Sequence, residues 1–339
     1  MSASRRPANI IDTMRLIGAY CVVWYHNPFY WNLHEHIQWV DGLKLVFLGW
    51  SMPFFYGISA RFAFTGKDFS RRWERIVRLG ILVIFYTLLY EFFHRRNPGS
   101  LAIRCLENSG TECSASLIFD TLRNVGNTPG YYLSDLIVIY LLAIVVTVRP
   151  WLMIALASFA SLSLFMGWIR LGGLFLNPLG LFGVCAALGY LVLIRPCLAQ
   201  YRSINLKTLS SCSVIMGFIL VWGCANLLLA QNQFWNGTGN ILLFLSLLML
   251  FMGLSDQIQP EGRYIAMVSE WGRKYAFGIF IFHQLCFDLL APGIARIMSA
   301  LTHSQDMLPL FVVTGLVVSL AATVITVIIR KAAPALLTP

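Results

Sequence analysis

Arg15 and His26 stand eleven residues apart inside one apolar run. In a helix that separation turns the chain by about 1100°, roughly 20° past three full turns, so both side chains share a face. The rise between them is about 16 Å, close to half the hydrocarbon thickness of a bilayer. A guanidinium keeps its charge and grips phosphate through two parallel N–H bonds. An imidazole takes up a proton near neutral pH and can serve as a general base. One face therefore offers an anion anchor at one end and a proton acceptor deeper in. Spacing alone leaves two readings open. In the other one, Arg15 snorkels to the headgroups and His26 hydrogen-bonds a neighbouring helix.

His283, within Phe280-Ile281-Phe282-His283-Gln284, lies near the middle of a later apolar run and at a depth from which it could reach the His26 region. A structural, hydrogen-bonded histidine is the competing reading. Arg61 closes a second apolar run and either snorkels or binds the same ligand as Arg15. Arg71, Arg75 and Arg78 share a helical face at the opening of a third. That cluster is either a topogenic loop or a phosphate-binding surface, with Trp73 placed to stack on a base. Glu91, Asp135 and Asp288 rank below the histidines as partners for them or for the arginines. His34, Glu35 and His36 lie on a loop without further ligands, so no metal is expected.

The elements that must position these residues follow from composition. Of 339 residues, 58% are hydrophobic, 14% aromatic and only 12% charged. A soluble domain runs at roughly a quarter charged, so lipid must solvate much of this chain. Ten runs reach the length of a span, at about 10–30, 43–65, 76–94, 131–148, 151–169, 173–194, 210–230, 239–255, 275–293 and 308–329. Asn177-Pro178 is expected to kink or delay the sixth. With the N-terminus placed in the cytoplasm, 16 of the 25 Lys and Arg fall on cytoplasmic segments and 7 on the opposite side. The positive-inside rule therefore predicts both termini in the cytoplasm. It also accounts for the net charge of +10. No basic stripe interleaved with aromatics suggests nucleic acid. The basic N-terminal residues precede a retained first span, with no cleavage site after it.

The expected architecture is an all-α polytopic membrane protein with about ten spans, forming one domain over residues 1–339. Residues 95–130 make a long external loop that carries Cys105 and Cys113, a pair that could form a disulfide in an oxidising compartment. Cys21, Cys185, Cys212, Cys224 and Cys286 lie in apolar runs and are expected in the core.

Asp12-Thr13-Met14-Arg15-Leu16-Ile17-Gly18-Ala19 followed by Val23-Trp24-Tyr25-His26 resembles the opening of the acyltransferase family 3 membrane proteins. Four further stretches match that family in order. They are Met52-Pro53-Phe54-Phe55 with Ile58-Ser59, the basic run Arg71 to Arg78, Gly130-Tyr131-Tyr132-Leu133, and Ser269-Glu270-Trp271-Gly272 through Tyr275 with Phe280 to His283. The chain departs from the pattern at Ala60, where Gly is usual, at Tyr131, where Trp is common, and in lacking a proline after the basic run. These departures bear on subfamily and acceptor.

The resemblance implies transfer of an acyl group, usually acetyl from acetyl-CoA, to a carbohydrate hydroxyl at the bacterial cytoplasmic (inner) membrane. The donor's phosphates would then meet Arg15, Arg61, Arg75 and Arg78, and His26 would act as base or acyl carrier. His283 would position the acceptor or stabilise charge. Some relatives carry a further soluble domain. This chain ends nine residues past Arg330, so it is expected to act alone, as a homo-oligomer or with a separate soluble partner. The rivals are a flippase for a lipid-linked glycan, which would more often show inverted repeats, and a non-catalytic subunit of a glycan-synthesis complex.

Overall fold

A computed structural model describes residues 9–30, 42, 44, 48–66, 68–94, 130–147, 151, 152, 155, 178–200, 210–229, 238–258, 262–302 and 307–337. Among these the chain is helical and contains no strand. The helices are α1 (Ile10–Tyr25), α2 (Ser51–Thr65), α3 (Phe69–His94), α4 (Gly130–Thr147), α5 (Pro178–Gly189), α6 (Arg195–Gln200), α7 (Ser211–Leu229), α8 (Thr238–Gln257), α9 (Arg263–Thr302) and α10 (Met307–Ala332). A π-helical turn, Tyr190–Ile194, joins α5 to α6, and a short 3-10 turn, Pro334–Leu337, follows α10.

Among the described residues, five segments are long and apolar enough to cross a membrane: Leu179–Leu198, Ser211–Leu228, Asn240–Gln257, Arg263–Ala300 and Met307–Ala332. Tyr131–Val146 is apolar but shorter. The surface agrees with lipid as solvent. Val77, Ile81, Ile84, Leu88 and Phe92 form an exposed apolar stripe on α3, and Val312, Leu316, Leu320, Val324 and Ile328 form one on α10. Water does not tolerate stripes of that length, whereas acyl chains do. Together these features make the protein an integral membrane protein.

Several boundaries differ from the sequence expectation, each for a physical reason. The first helix stops at Tyr25 rather than near residue 30, because Pro28 disfavours helical backbone at Asn27. The Asn27 side chain then caps the turn: its amide donates to the Phe311 carbonyl (2.8 Å) and its oxygen accepts from the Phe29 N–H (3.1 Å). The described part of the sixth run's helix opens on Pro178, a residue suited to a first helical position because its missing N–H costs nothing there. The ninth helix runs 40 residues, about 60 Å, twice what a bilayer needs. Residues 275–293 hold most of its buried part, and its polar first turns extend the helix beyond the apolar run. Cys185 and Cys286 are buried, but Cys212 and Cys224 are exposed, on the outward faces of their helix. The fifth expected span apart from residues 151, 152 and 155, the Cys105–Cys113 loop and the His34–His36 segment lie outside the described residues.

Close helix approach sets the frame. Asn9 caps α1 by accepting from the Ile11 N–H (2.9 Å), and its own N–H donates to Ser269 on α9 (2.9 Å). Along the same crossing a Cβ on Gly272 would sit 1.7 Å from the Asp12 carbonyl oxygen, so only glycine lets α1 and α9 meet there. A Cβ on Gly183 would collide with the backbone of Tyr56 in the same way and keep α2 off α5. Helices α1, α2, α4 and α9 thus converge on one core.

Candidate functional site

Where α1 ends and α9 passes, two histidines from opposite ends of the chain come together. The His26 and His283 rings lie 5.3 Å apart between centroids, tilted by 40°. His26 occupies the C-cap of α1, its N–H bonded to the Val22 carbonyl (3.1 Å). Tyr25 packs edge-on against it. The His26 ring makes no hydrogen bond among the described residues.

His283 is buried, and its Nδ1 lies 2.5 Å from the Phe280 carbonyl oxygen. A carbonyl only accepts, so that nitrogen carries the proton. In the neutral ring Nε2 is then left as an acceptor. The pair is chemically unequal: one ring is pinned in a known tautomer, and the other is available.

An aromatic wall places this pair. Phe280 packs on Tyr132 (5.0 Å) and Phe55 (5.7 Å), and Tyr132 packs on Tyr56 (5.0 Å). The Tyr132 hydroxyl pairs with Ser59 (2.9 Å), and the Tyr56 hydroxyl donates to buried Asp135 (2.5 Å). Each such ring contact adds about 0.5–1.5 kcal/mol beyond burial. Three of the sequence stretches singled out above, on α2, α4 and α9, therefore meet in one wall, with the end of α1 against it. Asp135 reaches a tyrosine here, and Asp288 accepts from Gln284 (3.2 Å).

The arginines lie away from the histidines and do not form one cluster. Arg15 is half-buried, 3.4 Å from Asp12, with its guanidinium over the Phe62 ring (5.5 Å). Arg61 flanks the same Phe62 ring (5.9 Å) but is ion-paired with Asp256. Its guanidinium also lies over Tyr190 (4.7 Å), whose hydroxyl donates to the same carboxylate. On α3, exposed Arg75 donates to the Tyr140 hydroxyl on α4 (2.7 Å), and half-buried Arg78 follows it on the helix. Buried Arg72 bonds the carbonyls of Gly66 and Ala143 (3.1 Å to the latter), so it ties α3 to its neighbours.

Sequence reasoning missed Asp256 and Tyr190. Asp256 sits one residue past the apolar run assigned to the eighth span, and a carboxylate there is a visible signal. Tyr190 begins the π-helical turn, and local sequence carries no mark of that turn. Among the described residues, no group of three or more His, Cys, Asp or Glu is placed to hold a metal.

Two chemical capacities coexist: a base with a fixed neighbour at one end, and guanidiniums suited to an anionic ligand at the other. No curated protein matches the sequence, and no solved structure does. The family model described as an acyltransferase domain matches residues 9–329. That match spans nearly the whole chain and takes in α1 to α9 and most of α10, so the protein belongs to acyltransferase family 3 and is a membrane acyltransferase.

Proposed function

We propose that the protein transfers an acyl group, acetyl foremost, from cytoplasmic acyl-CoA to a hydroxyl of a cell-surface or lipid-linked carbohydrate. The observation that carries this reading is the His26–His283 pair, set against an aromatic wall that includes α2, with Arg15 over the Phe62 ring of that same helix. The chain works as one transmembrane domain of ten spans in a bacterial cytoplasmic membrane, with both termini inside.

The donor's phosphates bind at the Arg15 end. Among the described residues Arg15 gives up one ion pair, a 3.4 Å contact with Asp12, whereas a phosphate at Arg61 has to displace Asp256. Arg75 and Arg78 add charge at the same surface. The thioester reaches inward to His26, which removes the proton from the acceptor hydroxyl as its oxygen attacks the thioester carbonyl. The new C–O bond forms and the C–S bond breaks. The departing CoA thiolate takes the proton back from the His26 imidazolium. As the His26 imidazolium forms, a small ring shift lets Nε2 of His283 accept from it and share the positive charge. In the covalent variant of the same chemistry, His26 carries the acyl group between thioester and hydroxyl.

The test is binding and turnover together. Purified protein should gain thermal stability with CoA, because a ligand of the folded state stabilises it. It should also release CoA from acetyl-CoA in the presence of host membranes. A protein indifferent to CoA in both assays is a transporter or a subunit of a larger complex instead.

A further inference from the structure

Helix α9 carries His283 through a turn that a second helix holds in an unusual way. The Tyr90 hydroxyl on α3 donates to the Ile281 carbonyl (2.8 Å) and accepts from the Leu285 N–H (3.2 Å). In an α-helix these two groups are each other's partners, since residue i+4 donates to residue i. One tyrosine oxygen therefore engages both halves of a single helical bond, and that bond brackets His283. Tyr86, one turn earlier on α3, stacks edge-on against Phe282 (5.7 Å). On the other side, His283 bonds the Phe280 carbonyl, and Phe280 packs into the aromatic wall.

We propose that Tyr90 is a positioning residue for His283. Its hydroxyl wedges into the helical ladder and sets the local bend of α9, which aims the His283 ring at His26. A buried hydroxyl in lipid needs partners, but it could meet that need with one carbonyl. Taking both the acceptor and the donor of one helical pair is instead the geometry of an inserted side chain, a recognised cause of helix bending. The two bonds fall two residues either side of the histidine, where a small local rotation of the helix moves the ring most. The catalytic consequence rests on the reading of His26 and His283 given above, while the positioning itself does not.

The experiment compares the unaltered protein with Tyr90→Phe, which keeps the ring and removes only the hydroxyl. The readouts are the side-chain 15N signals of His283 in histidine-labelled protein, and the kcat and KM for acetyl-CoA. Tyr86→Phe, which loses only a bond to the Leu336 carbonyl, is the control. The expected result is a changed His283 signal in Tyr90→Phe alone, with kcat down about tenfold to a hundredfold and KM unchanged. An unchanged His283 signal overturns the proposal whatever the activity. A changed signal with full kcat supports the positioning and removes His283 from the chemistry. 3-Fluorotyrosine at position 90 guards against a variant that fails to fold. It keeps the hydroxyl but makes it a stronger donor, and it should move the same signals by a smaller amount; no movement again overturns the proposal.

Discussion

The histidine end and the arginine end of this site are built on different principles. At the histidine end, groups from α1, α2, α3, α4 and α9 are fixed by directed bonds and ring contacts, and His283 is held in one tautomer. At the arginine end, each guanidinium is tied to its own neighbour: Arg15 to Asp12, Arg61 to Asp256, Arg72 to backbone carbonyls and Arg75 to Tyr140. The difference fits two tasks. Chemistry needs a few atoms held within fractions of an ångström. Anion binding needs charge and tolerates looser placement, because Coulombic attraction falls off slowly with distance.

The largest loss is expected at the rigid end. His26→Ala should lower acyl transfer by about 10²–10⁴-fold, the usual worth of a general base. Because the ring has no hydrogen bond among the described residues, the protein should remain folded and still bind CoA. A turnover near the parent's would remove His26 from the chemistry.

The loose end should respond differently, and its two arginines should separate. Arg15→Ala should raise KM for acetyl-CoA about tenfold with little change in kcat, the mark of lost binding common to ground and transition states. Arg61→Ala should cost stability instead, because it strands Asp256. Asp256 keeps 34% exposure of its side chain, so the cost is about 1–3 kcal/mol rather than that of a fully buried pair. A denaturation midpoint distinguishes this from a KM effect. If Arg61→Ala changes only KM, Arg61 is a donor ligand and the division between the two arginines fails.

The smallest effect belongs to Arg71, which is 82% exposed and 3.1 Å from Asp68. Arg71→Ala should change stability by about 0–1 kcal/mol, and by less in high salt. A larger change in KM would extend the anion surface further along α3.

Much of the fold was legible because an apolar run of span length has few other uses. The limits of legibility lie at particular residues. The polar stretch from Arg263 to Lys274 reads as a loop by hydropathy, yet it is helical because α9 continues through it and Gly272 packs on α1. Arg15 and His26 were visible as intramembrane charges. That His26 meets His283 was visible only as compatible depth, since no local signal states which helices touch. Tyr90 and Tyr190 were invisible in their present roles for the same reason: a hydroxyl acquires its role from the partner across the helix interface. Arg61 shows the converse. Its type and position suggested a ligand anchor, and nothing local shows that it also pairs with Asp256, on a helix nearly two hundred residues later.

Whether the two histidines act as one unit is measured directly by a double-mutant cycle. CoA release from acetyl-CoA in the presence of host membranes is compared for the parent, His26→Ala, His283→Ala and the double variant, with each shown to be folded by CoA binding. If the pair is one catalytic device, removing the second histidine from a protein that already lacks the first costs little more, and the double variant matches His26→Ala. If the two single losses multiply in the double variant, the rings are neighbours without a shared task, and the catalytic pair is contradicted.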